Sequence, residues 1–128
     1  MSSQVNYWKE LSEYDLETAE AMLKSKRYLY VGFMAHQAIE KILKACFIKI
    51  HADTPPYSHS LSYIAKKAEV YEHFSEKQKE FMDLIEPLNI ECRYPVHREE
   101  LLKTLTDEKC KEILNNTREL QIWIKQKL

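Results

Sequence analysis

The stretch Val31-Gly32-Phe33-Met34-Ala35-His36-Gln37-Ala38-Ile39-Glu40-Lys41-Ile42-Leu43-Lys44-Ala45-Cys46-Phe47-Ile48-Lys49-Ile50 decides the fold. Val31, Ala35, Ala38, Ile39, Ile42, Leu43, Cys46, Phe47 and Ile50 recur at helical spacing. Their stripe is wide enough to touch more than one neighbour, which predicts a central helix over about 30–51. Gln37, Lys41 and Lys44 fall at i, i+4 and i+7 on the opposite, polar face. The only glycine, Gly32, lies at the head of this helix, where it permits a close helix approach.

The rest of the chain repeats the pattern. Trp8, Leu11, Leu16, Ala19, Met22 and Leu23 predict a helix over 4–26, with Glu10, Glu13, Glu17 and Glu20 outside. Pro55-Pro56 makes 51–58 a loop. Ser58 or Ser60 caps a third helix over 60–72. Ser75-Glu76-Lys77-Gln78 reads as a capping box for a fourth, with Phe81, Leu84, Ile85 and Leu88 inward, ending near 89–92. Residues 93–105 read as a loop with one short helical turn, because Pro95 keeps Tyr94 out of the α region. Thr106 caps a last helix carrying Cys110, Ile113, Leu114, Thr117, Leu120 and Ile124. The expected architecture is all-α, a four- to five-helix up-down bundle, in one domain over residues 1–128.

Composition narrows the function. The 128 residues carry a formal net charge of -1, with 45% hydrophobic and 30% charged residues, which argues against disorder. A single glycine excludes a P-loop, a dinucleotide fingerprint and a nucleophile elbow. No apolar run reaches membrane-span length, and the opening Met1-Ser2-Ser3-Gln4 reads as no signal peptide, so a cytoplasmic protein without membrane contact is expected. Cys46, Cys92 and Cys110 form no C-x-x-C pair, and Cys46 and Cys110 fall on apolar faces as buried reduced thiols. The five histidines show no H-x-x-x-H spacing, so neither a metal nor any other cofactor is expected; His36 and Glu40 share a face, but a pair alone makes no site. Asn115-Asn116-Thr117 lies inside a predicted helix and reads as a chance sequon.

Charge is unevenly spread. Residues 31–67 carry five lysines against Glu40 and Asp53, together with His36, His51 and His59. Such a surface attracts phosphate or an acidic partner, although it is far weaker than that of a duplex-DNA binder. Arg93-Tyr94-Pro95-Val96-His97-Arg98 then places two guanidiniums and an imidazole in six residues. Arginine offers a fork for phosphate and histidine moves protons near neutral pH. Three readings stand: helix capping and packing, phosphate contact, and metal-independent RNA cleavage with Arg93 and His97 as the acting pair. Lys41 either pairs with a carboxylate or faces the Arg93 region, and His59 either binds a loop carbonyl or helps hold an anion at a helix start.

Phe33-Met34-Ala35-His36-Gln37-Ala38-Ile39-Glu40-Lys41-Ile42-Leu43-Lys44-Ala45 resembles the F-x-x-x-Q-A-x-E-K-x-L-K-A signature of HEPN domains. Pro55-Pro56-Tyr57-Ser58-His59-Ser60-Leu61 is similar to that family's P-x-x-H-x-L element, Arg93-Tyr94-Pro95 to its R-Y-P element, and Ala19 to Tyr28 to its first-helix stretch. The motifs come in family order over about residues 6–126. The resemblance implies a homodimeric helical bundle of a bacterial or archaeal cytosol, paired with a minimal nucleotidyltransferase as a toxin–antitoxin couple. It implies a nucleotide- or partner-binding module, with Arg93, Arg98, Lys41, Lys44, Gln37 and His59 as ligand or phosphate contacts. The alternative it implies is a metal-independent endoribonuclease that uses Arg93 and His97 across a dimer cleft. Family ribonucleases separate their Arg and His by four to six residues; here three intervene.

Overall fold

A computed structural model describes the backbone of residues 2–91 and 95–128, and the side chains of these outside 90–98. Among the described residues the secondary structure is helical throughout. The helices are α1 (Ser3–Lys24), α2 (Tyr28–His51), α3 (Leu61–Lys67), α4 (Glu76–Ile85), α5 (Leu88–Glu91), α6 (Pro95–Thr104) and α7 (Asp107–Lys125), with a 3₁₀ turn at Tyr71–His73.

Side-chain caps start most of the long helices. The hydroxyls of Ser2, Ser60, Ser75 and Thr106 accept from the amides of Val5, Tyr63, Gln78 and Lys109. The predicted capping box forms in full, with the Gln78 side chain accepting from the Ser75 amide. Ser60, not Ser58, caps α3, while the Ser58 hydroxyl accepts from the Ser60 amide.

α2 is the axis of the bundle and packs against all six other helices. It runs antiparallel to α1 across a three-residue turn. α7 runs alongside α2 in the same direction, since Cys110 lies by the Tyr28 carbonyl and Cys46 by that of Ile124. The largest core cluster joins Ile39, Ile42, Leu43, Leu61, Ile64, Met82, Ile85, Ile113 and Ile124, each essentially without exposure. Gly32 is spent on a close approach, as expected: a β-carbon there would stand 2.9 Å from Leu88 Cδ1 of α5. The sharp turns use other residues. Lys26, Ala52 and Glu69 adopt positive φ angles of 61°, 50° and 61° at the ends of α1, α2 and α3.

Four details depart from the sequence reading. Residues 95–104 form a ten-residue helix rather than a loop, because proline suits a first helical position, where its missing amide hydrogen leaves no bond unmade. The fourth helix is broken at Glu86-Pro87, since Pro87 has no hydrogen to give the Asp83 carbonyl. The third helix stops at Lys67, where Glu69 turns left-handed. Leu84 and Ile50, both expected inside, are 44% and 48% exposed. The buried face of α4 is Phe81, Met82 and Ile85, turned away from Leu84, and Ile50 lies in the last turn of α2.

Candidate functional site

The inward side of α2 carries a buried polar cluster. Glu40 is 3% exposed and has a donor on each oxygen. Lys44 Nζ donates to Oε2 at 3.0 Å, and His59 Nδ1 donates to Oε1 at 2.9 Å. His36, fully buried, stands one turn earlier, with Nδ1 3.8 Å from Glu40 and Nε2 donating to Glu86 at 2.8 Å. The other oxygen of Glu86 accepts from the Leu61 amide at 2.7 Å, so this side chain holds the start of α3. Lys44 also lies over the Trp8 ring of α1, 5.5 Å from its centre. A carboxylate this deep is tolerable only with such partners, because an unpaired buried charge costs several kcal/mol.

The cluster explains the histidine-bearing loop after α2. Pro55-Pro56 carries the chain back along the bundle, and Ser60 then starts α3. His59 is the residue just before that cap, so its ring reaches back to Glu40. Carboxylate oxygens only accept, so Nδ1 of His59 carries the hydrogen. The ring remains about half exposed on its other side. There it borders a cleft of about 450 Å³ lined by His59, Ser60, Asp83, Glu86, Pro87 and Asn89.

Gln37 points from α2 toward α5. Its amide donates to Asn89 Oδ1 at 3.0 Å and approaches His36 Nδ1 at 3.5 Å. Asn89 lies four residues before Arg93. Lys41 takes the carboxylate side of its two readings, paired with the buried Asp15 of α1. Lys44 does not lie on a solvated face; it is 7% exposed against Glu40. The structure thus gathers His59, Glu40 and Lys44 in one cluster and puts Gln37 at its edge. It keeps Lys41 on the α1 side. Arg93 lies outside the described residues, as do the side chains of His97 and Arg98, which belong to the first turn of α6.

Sequence reasoning sets the His36–Glu40 pair aside as no site and passes over Glu86, Asp83 and Asn89. His36 and Glu40 were visible as an i, i+4 pair within an apolar stripe. Glu86 had no sequence signal, because its partners are 50 and 25 residues away.

A second polar contact closes the far end of the bundle. The Tyr28 hydroxyl donates to Asp107 at 3.1 Å and Lys111 pairs with the same carboxylate at 2.9 Å. Lys111 first, and Tyr28 second, hold the Asp107 carboxyl below its usual range. Burial pushes the Cys46 thiol up to about 12 and the Cys110 thiol to about 11. Both are inert structural cysteines at neutral pH.

No helix among the described residues is long and apolar enough to cross a membrane. No curated protein matches the chain. Among solved structures the fold is similar to the crystal structure of TT1696 from Thermus thermophilus, with a TM-score of 0.86 and 20% identity over 99% of this chain and 100% of that one. The family model of the HEPN domain matches residues 5–127. With that match spanning nearly its whole length, the chain belongs to the HEPN domain family.

Proposed function

We propose that this HEPN domain is a homodimeric nucleotide- and partner-binding module of the cytoplasm, the HEPN half of a toxin–antitoxin couple with a minimal nucleotidyltransferase. One observation carries the reading. The Gln37–Asn89 bond and the Gly32–Leu88 contact dock α5 on α2, so the backbone leading into Arg93-Tyr94-Pro95 leaves from beside the polar cluster. Arg93 and Arg98 then supply phosphate contacts, with Gln37 and His59 at the edge of the same region. Lys41 and Lys44 already serve Asp15 and Glu40, so they act through the carboxylates they neutralise rather than by direct contact.

The test is thermal unfolding with and without ATP, alongside co-purification with a minimal nucleotidyltransferase, should its gene adjoin this one. ATP raises the midpoint of the native protein and not that of Arg93→Ala, and the two proteins elute together. Absence of both effects overturns the reading. RNA cleavage that survives EDTA and disappears in Arg93→Ala and His97→Ala would replace it with the ribonuclease alternative.

A further inference from the structure

We propose that the cleft between the start of α3 and the α4–α5 corner holds the nucleoside end of the bound nucleotide, with His59 Nε2 as a fixed hydrogen-bond acceptor. The proposal rests on the nucleotide reading above and deepens it.

Glu40 can only accept, so the hydrogen of neutral His59 stays on Nδ1 and the lone pair on Nε2. Glu40 is itself immobilised by Lys44, within a helix. The imidazole is therefore held by a buried anchor while about half of the side chain stays exposed at the cleft. An orienting carboxylate behind a histidine fixes both tautomer and direction.

The other walls fit the same ligand chemistry. The exposed Asp83 adds a second acceptor, and Pro87 adds an apolar surface. Glu86, one-third exposed, already accepts from His36 and the Leu61 amide with one oxygen each, and its remaining lone pairs add acceptor capacity to the wall. A wall with a carboxylate and an imidazole lone pair repels phosphate and takes hydroxyl or amine donors. Ribose hydroxyls and an exocyclic amine are such donors, and about 450 Å³ lies within the range of small-ligand pockets.

The test uses the full ¹⁵N-labelled chain, imidazole nitrogen spectra, and three probes: adenosine, inorganic tripolyphosphate and ATP. Adenosine and ATP shift the His59 nitrogens, and tripolyphosphate alone does not. Before any probe is added, Nδ1 is the protonated nitrogen of the neutral ring. His59→Ala weakens ATP binding about threefold to tenfold, the worth of one hydrogen bond. His59→Gln, whose side-chain oxygen comes near the position of Nε2, recovers part of the loss. Unmoved His59 signals at saturating ATP, or unchanged affinity in His59→Ala, overturn the pocket. If ATP still protects the native protein and Arg93→Ala abolishes that protection, the nucleotide reading survives the loss of the pocket. If ATP does not bind at all, both fall.

Discussion

Two sets of ion pairs in this bundle look alike on paper and differ in substance. On the inward side of α2, Glu40 and Lys44 keep 4% and 9% of their side-chain surfaces exposed. Between α1 and α7, Arg118–Glu20 and Lys125–Glu13 keep 30–41% exposed, at similar or shorter distances. The inner pair has lost its water and is enclosed by Trp8 of α1, His36 of α2 and the His59 loop. The outer pairs still share water with solvent. Distance therefore says little about how much either set contributes; burial decides.

Removing one partner from each set should expose the difference. Glu40→Ala leaves Lys44 buried without its carboxylate and strands His59, and urea unfolding should show a loss of about 3–5 kcal/mol. Ser12→Ala comes next. The Ser12 hydroxyl is fully buried, donates to the Ala38 carbonyl and accepts from Gln121 at 3.0 Å, so it ties α1 to both α2 and α7. Its loss strips the buried Gln121 amide of its partner and the Ala38 carbonyl of its second donor, and should cost about 1–3 kcal/mol. Arg118→Ala should cost no more than about 1 kcal/mol, and less at high salt. A loss in Arg118→Ala as large as that in Glu40→Ala would break the comparison.

Two smaller effects sharpen it. Cys46 and Cys110, their thiols raised by burial, should ignore a disulfide reagent at pH ~8 in the native protein and react after unfolding. At the far end of the bundle, Asp107 is partnered but solvent-facing. Its carboxyl is lower in the folded state than in the unfolded chain, so its contribution is full above the ordinary aspartate range and fades as pH falls through the folded value. The stability gap between native protein and Asp107→Asn should be constant at neutral pH and shrink in acid. A gap that widens in acid would reverse that sign.

The same contrast marks what was legible in the sequence. Apolar periodicity in α2 and the caps at Ser60, Ser75 and Thr106 are local signals, read within one or two turns, and the helices follow them. Gly32 was also readable, since one glycine in a helix-rich chain asks for a reason. Pro95 was ambiguous because proline both ends and begins helices; its neighbours settle the choice. Helical spacing puts Lys44 on the polar face of α2 but does not show that it is buried, because Trp8, which covers it, comes from another helix. Glu86 and Asn89 were invisible for the same reason. The cluster is made by long-range pairs, and a sequence window shows only one member of each. What the sequence did supply was the family resemblance, which placed Gln37, Glu40, Lys44 and His59 in shared motifs before their contacts were known.

The central claim is that the buried polar row of α2 frames a ligand site and does not merely fill the core. Calorimetric titration of ATP into folded Glu40→Gln, which keeps the shape of the side chain and removes its charge, tests this most directly. The expected result is lower stability together with ATP binding weakened about tenfold in protein whose helical content is unchanged. Native affinity for ATP in that folded variant, with only its stability reduced, would contradict it.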